Sequence, residues 1–367
     1  MKRSANGVID DPITLGPADT VVAAALDDPT IFPTPLAGTE GPSWIHIGSE
    51  GGFLPKVANQ SELLIGLAER ADTIIDFGKF PVGTELYLVN VGPDAPFGGG
   101  VLGVDFFASD PATTGQVMKF VVGPRPPKVK DDTTPPGRLR FPTITPVNAQ
   151  GALVRSLSLN EEDSATILAN FDISGNLVMA CDDPAALPFG PKAAKLGTLD
   201  AMGMPMAMEW MMPISENPGA GLLVLPVQGV TEQWDIYNFT MDAHPIHLHQ
   251  VMFQVVNREG LTPDPMNPGM AVMPAVLTGV VTPPAAWEKG FKDTVIAYPG
   301  EVTRIMIRWT PTDIAVGGET LGISQYPFDP TQLINGVGYV WHCHIVDHED
   351  NEMMRPLMIT GPTVAMV

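Results

Sequence analysis

"VTRIMIRW", Val302–Trp309, alternates apolar Ile305 and Ile307 with Arg304 and Met306, the two-residue period of a half-buried strand. Similar short runs rich in β-branched and aromatic residues recur between turn residues. They include "TIIDF" (Thr73–Phe77), "ELYLVNV" (Glu85–Val91), "QVMKFVVG" (Gln116–Gly123), "EQWDIYNFT" (Glu232–Thr240) and "MFQVVNRE" (Met252–Glu259). With 37 glycines, 38 prolines and little helical periodicity, the chain reads as all-β, built from sandwiches or barrels. Its 367 residues suit two domains, each with its own core. The stretch "GPRPPKVKDDTTPPGRLRFP" (Gly123–Pro142) marks the junction, because proline excludes ladder pairing and charge favours solvent. The expected division is a first domain over 1–130, a Pro-rich linker over 131–150 and a second domain over 151–367.

Charge and composition narrow the partners. Acidic residues outnumber basic ones by 41 to 20, and the net charge of −21 repels phosphate backbones and anionic membranes. No nucleic-acid or membrane partner is expected, and no apolar run approaches the ~20 residues that span a bilayer. The start, "MKRSANGVIDDPITLG", carries a basic pair without an apolar segment behind it, so no secretory signal is read there. Two cysteines, Cys181 and Cys343, allow at most one disulfide.

Histidine is concentrated where chemistry is expected. Six of the seven fall in two clusters, "DAHPIHLHQ" with His244, His247 and His249, and "HCHIVDHEDNEMM" with His342, His344 and His348. On a strand, His247 and His249 share a face, and Pro245 is expected to break the ladder and aim His244 elsewhere. Likewise His342 and His344 point one way and Cys343 the other. Two imidazoles, one thiolate and a weak thioether make a blue copper site, and His244, Cys343, His348 and Met353 provide those donors. Structural zinc favours closed tetrahedral sets with paired cysteines, so copper fits better. The lone His46 reads as structural. "AMGMPMAMEWMMP" carries Met202, Met204, Met206, Met208, Met211 and Met212, and admits two readings, adaptable packing or soft Cu(I) ligation.

At these residues a family resemblance becomes specific. "DAHPIHLHQVMFQVVNREG" (Asp242–Gly260) and "GYVWHCHIVDHEDNEMMRPLMIT" (Gly338–Thr360) resemble the two C-terminal copper signatures of the multicopper oxidases. The nearest branch is the bacterial group of spore-coat laccases, bilirubin oxidase and phenoxazinone synthase. Supporting stretches are "GSEGGFLPKV" (Gly48–Val57), "AERADTIIDF" (Ala68–Phe77) and "PPAAWEKGFKDTVIAYPGEVTRI" (Pro283–Ile305). The resemblance implies two cupredoxin-like Greek-key β-sandwich domains, the middle one without copper and the last one carrying the motifs. It implies a type 1 copper on His244, Cys343 and His348 with axial Met353, His247 on a type 2 copper, and His249, His342 and His344 on a type 3 pair. Glu349 matches an acidic position associated with proton delivery; the plainer alternative is an exposed loop glutamate. The implied activity is one-electron oxidation of phenols, aromatic amines, pigments or low-valent metals, coupled to reduction of O2 to water.

One departure from the family pattern stands out. The family's trinuclear cluster takes eight imidazoles, half from a first domain with two His-x-His motifs, whereas His46 is the one histidine before His244. A fragment, a truncated product or half of a split enzyme is therefore expected, with an apolar face left for a missing domain or partner chain. Activity of the chain by itself is in doubt on that reading, and localisation stays open. The rival functions are a non-catalytic blue copper electron carrier and a copper-binding module.

Overall fold

The computed structural model describes residues 2–3, 41–111, 113–127, 129–147, 151–172, 174, 176–179, 186–210, 226–267, 269–330, 339–357 and 359–360. Cys181, Met211, Met212 and residues 4–40 lie outside them. The all-β expectation is met: strands dominate, with helical turns at Pro136–Arg138, Ala286–Glu288 and Val346–Glu349 (α1). None of the described helices is long and apolar enough to cross a membrane. Two compact units form, one from Met1–Ile47, Lys56–Leu64 and Ala71–Phe141, the other from Gly48–Pro55, Ile65–Arg70 and Pro142–Val367.

The first unit holds a sheet of β1 (Lys2–Arg3), β5 (Glu85–Val89) and β6 (Gln116–Val121) in the order β1-β5-β6. A second sheet joins β2 (Trp44–Ser49), β3 (Gly52–Gln60) and β4 (Asp72–Ile74) in the order β3-β2-β4. "TIIDF" is strand only at its start, since β4 ends at Ile74. His46 lies on the buried face of β2 beside Trp44, its Nδ1 3.0 Å from Gln60 Nε2.

The second unit is a two-sheet sandwich. Its large sheet contains β7 (Leu153–Phe171), β8 (Leu177–Met179), β9 (Leu187–Leu199), β10 (Pro205–Ala207), β11 (Thr231–Asn238), β13 (Phe253–Leu261), β14 (Leu277–Thr282) and β16 (Glu301–Arg308). The order is β10-β9-β7-β11-β16-β13-β14, with β8 beside β7 and a parallel pairing of β11 with β7. The small sheet runs β15 (Thr294–Ala297), β12 (His244–Leu248), β17 (Tyr339–Cys343) and β18 (Met354–Leu357). Inward residues of both sheets, among them Leu157, Leu196, Ile305, Ile307, Val295 and Leu357, enclose the contiguous indoles Trp234, Trp309 and Trp341. Strand alternation places these side chains in one layer, and their burial drives the sandwich together.

Two expectations change. Met306 is buried at 2% exposure, so β16 is covered on both faces there. β16 is an interior strand, and the segment preceding β7 meets its neighbour Gln254 on β13: Val147 N–H donates to Gln254 Oε1 at 2.8 Å. Arg304 on the same face remains polar-paired, with Asp235 at 3.3 Å and Glu259 at 2.6 Å. The methionine-rich run also divides by burial, with Met202 and Met206 exposed and Met208, one residue past the end of β10, in the sandwich core.

Two segments from early in the chain belong to this second unit for identifiable reasons. Gly51 N–H donates to Phe291 O at 3.0 Å, and a Cβ on Gly51 would lie 2.2 Å from that oxygen, so only glycine approaches so closely. Lys292, 3% exposed, is paired with Glu50 at 2.9 Å and Glu69 at 3.2 Å. A buried ammonium needs such partners, because an unpaired one costs several kcal/mol.

Candidate metal centre

The site rests on one antiparallel register. Ile246 stands opposite Cys343 and His247 opposite His342 on β12 and β17. Directly opposed residues share a face, and neighbours along a strand alternate. His244 therefore shares the Cys343 side, while His247, His249, His342 and His344 gather on the other. Pro245 does not break the ladder: it stands opposite Ile296 in β15, and its carbonyl accepts the His344 N–H at 2.8 Å. Parity alone separates His244 from His247. His348 sits in the single turn of α1, closed by N–H bonds to the Ile345 and Val346 carbonyls directly after β17.

On the first face, His244 Nδ1 lies 3.5 Å from Cys343 Sγ, and His348 Nδ1 lies 3.9 Å from Sγ and 3.2 Å from His244 Nδ1. His244 and Cys343 are fully buried. The His244 ring is fixed by its other nitrogen, 2.6 Å from Thr240 Oγ1. The Thr240 hydroxyl donates to Asn238 Oδ1 at 2.8 Å, so it accepts from Nε2–H and leaves the Nδ1 lone pair facing the thiol. Met353, also fully buried, is tied to His348 and Cys343 by its backbone: its N–H donates to His348 O at 2.9 Å and its carbonyl accepts the Cys343 N–H at 3.0 Å. Glu161 and Asp242 border the rings, 3.7 Å from His244 Nε2 and 3.9 Å from His348 Nε2.

On the second face, the donor atoms of His247, His249 and His342 lie within 4.8 Å of one another, with 3.3 Å between the Nε2 atoms of His249 and His342. His344 joins by ring packing, its centroid 5.1 Å from His342 and 5.7 Å from His247. His342 Nδ1 is 2.8 Å from Cys343 O, and His247 Nδ1 is 3.0 Å from Asp293 O and from Thr294 Oγ1. Both rings thus donate from Nδ1 and keep Nε2 free. Glu349 Oε2 lies 3.4 Å from His342 Nδ1, with its side chain 25% exposed.

Burial sets the protonation of these donors. It lowers His244 to about 3, helped by His348 nearby. It lowers His249 to about 4, with His247, His342 and His344 adding to the effect. The Cys343 thiol is pushed up to about 12 by burial, against a hydrogen bond from Ile345 N–H and with Glu349, Glu161 and Asp242 raising it further. Neutral imidazoles are ready ligands, whereas the thiol must surrender its proton to a metal. A two-imidazole, one-thiolate set beside a buried thioether suits copper, and thioether has no place in structural zinc sites.

All nine sequence-selected residues lie at or beside these two groups. Thr240, Asp242, Glu161, Asp293, Thr294 and Arg70 were not singled out. Asp293 and Thr294 stand within the quoted "PPAAWEKGFKDTVIAYPGEVTRI" and Arg70 within "AERADTIIDF", but nothing local in sequence pairs them, although the Arg70 guanidinium reaches Asp293 at 2.7 Å.

Comparison with known proteins gives the same direction. Residues 189–313 match the family model of multicopper oxidases. The chain is 31% identical to a laccase of Bacillus subtilis over 89% of its own length and 48% of the laccase. It is 29% identical to multicopper oxidase LPR1 of Arabidopsis thaliana, over 88% of its own length and 46% of that protein. In structure it is similar to McoA multicopper oxidase of the hyperthermophile Aquifex aeolicus, with a TM-score of 0.52 at 22% identity over 88% of this chain and 51% of that one. The chain matches the multicopper oxidase family and spans about half the length of the relatives it matches.

Proposed function

We propose that this chain supplies the substrate-oxidising site and half of the oxygen-reducing site of a laccase-like oxidase. The observation that carries it is the β12/β17 register, which sets His244 and Cys343 back to back with four imidazoles across a single strand. The two units are read as the middle and last cupredoxin domains, with residues 131–150 as linker. His244, Cys343 and His348, with Met353 beneath, would hold the type 1 copper; His247 the type 2; and His249, His342 and His344 the type 3 pair. Copper held there would supply one-electron redox chemistry between a small reductant and O2. Cys343 is peptide-bonded to His342 and His344, giving a covalent path between the groups. Glu349, partly exposed and beside His342, would hold protons for the oxygen-reducing side. The Thr240, Asp293 and Cys343 oxygens orient the rings. Four imidazoles are half of the family's complement, so the remaining ligands would come from sequence beyond these residues or from a partner chain.

The test is anaerobic. A phenol or aromatic amine added to the copper-loaded chain is expected to bleach its colour, and O2 alone to restore it slowly, without sustained uptake at an oxygen electrode. Sustained uptake is expected when a His-x-His cupredoxin domain is present. Colour that survives excess reductant would exclude the oxidising role; bleaching with no oxygen turnover under any pairing would leave an electron carrier.

A further inference from the structure

The turn Gly66–Arg70 is built with unusual care for an exposed segment. Ala68 has φ +67°, a conformation costly for a residue with a Cβ, and is held there by Glu69 N–H on Gly66 O at 3.0 Å and Gly66 N–H on Glu69 Oε2 at 2.8 Å. What this turn presents is Arg70. Its Nη1 and Nη2 donate to Asp293 Oδ1 and Oδ2 at 3.1 and 2.7 Å, a fork that fixes the carboxylate plane. Thr294 Oγ1 donates to the same Asp293 Oδ1 at 2.8 Å. A hydroxyl has one proton, so toward His247 Nδ1, 3.0 Å away, Thr294 can only accept.

The other groups at that nitrogen are also acceptors: Asp293 O at 3.0 Å and Asp293 Oδ1 at 3.4 Å. Neutral imidazole carries one proton, and here it must sit on Nδ1. We propose that Arg70, Asp293 and Thr294 form a positioning relay that locks His247 in the Nδ1–H tautomer, leaving its Nε2 lone pair among those of His249 and His342. At that nitrogen His342 hydrogen-bonds the adjoining Cys343 carbonyl; His247 has the Asp293 carbonyl and, in addition, a set of side chains, one of them nearly 180 residues earlier in the chain. A carboxylate is required, because the amide of an asparagine would offer a donor to Thr294 Oγ1 and free the hydroxyl proton to point at Nδ1. The use made of the free Nε2 rests on the copper reading above; the lock itself does not.

The lock can be read without metal. In the metal-free full chain labelled with 15N-histidine, long-range 1H–15N spectra at about pH 8, above the ordinary imidazole range, distinguish the two tautomers among seven histidines. The His247 signals are assigned by their loss in His247→Gln. Wild type is expected to show the Nδ1–H form alone. Asp293→Asn is expected to show a mixture with Nε2–H, and Arg70→Gln a smaller change in the same direction. Copper retained by the imidazole cluster, measured by chelator competition, is expected to weaken about 10- to 100-fold in Asp293→Asn, with the Cys343 colour unchanged. A pure Nδ1–H tautomer in a folded Asp293→Asn chain overturns the proposal. If that variant does not fold, Arg70→Gln decides, since the Arg70 side chain is 54% exposed, and an unchanged tautomer there overturns it equally. A tautomer that switches in a chain that binds no copper sustains the relay and removes the copper reading instead.

Discussion

Cys343→Ser is expected to abolish the intense visible absorption of the copper-loaded chain and to lower copper affinity at its first site. That absorption needs a thiolate bound to copper, and Cys343 lies 3.5 and 3.9 Å from the two imidazole nitrogens of its group. Serine retains the small buried volume, but its hydroxyl does not ionise at accessible pH and is a hard donor where copper favours a soft one. Imidazoles on the opposite face are untouched, so copper retained by them should give only weak colour. Cys181→Ser is the control and should leave the colour intact, because no histidine cluster adjoins it in sequence. Absorption and electron paramagnetic resonance of the two variants, with circular dichroism to verify folding, decide the matter. Intense colour in a folded Cys343→Ser chain would refute the assignment of the thiolate.

The metal-free chain is expected to lose stability as the pH falls from about 6.5. His244, fully buried, has its folded pKa lowered to about 3 by burial, so as pH drops the unfolded chain binds the proton first. A depressed histidine therefore contributes stability that is complete above the unfolded value and declines down to the folded one. The loss from His244 alone is about 2 kcal/mol by pH 5 and on the order of 5 kcal/mol at its limit. His249, lowered to about 4, acts in the same direction. Denaturant titrations across this range, run beside His244→Gln, isolate the contribution. Equal slopes for the two proteins between pH 6.5 and 5 would show that His244 is not held neutral.

These candidate ligands were legible in the sequence because most of them lie on or next to one of two short paired strands, where parity assigns faces, while His348 and Met353 follow closely after β17. The same parity rule corrects the reading of Pro245. A proline lacks only the N–H, and at this strand position its carbonyl still serves the ladder by accepting from His344. Met306 was misjudged because alternation reports one covered face and says nothing of the segment before β7 that meets the sheet at Gln254. The orienting partners were harder to see. Thr240 and Asp242 are four and two residues from His244, yet their roles depend on a turn closed by Asn238, whose side-chain amide donates to Asp242 O at 2.7 Å and whose Oδ1 accepts from Thr240. Arg70 was beyond reach altogether, since it meets Asp293 through a turn that leaves one unit's run of sequence to join the other.

The central claim is that these residues form one complete copper site and an incomplete second one. Its most direct measurement is copper per chain after anaerobic Cu(I) loading, reoxidation and desalting, read together with the visible spectrum. The account predicts one tightly retained copper with intense colour. A colourless chain, or one that retains a full set of four, would contradict it.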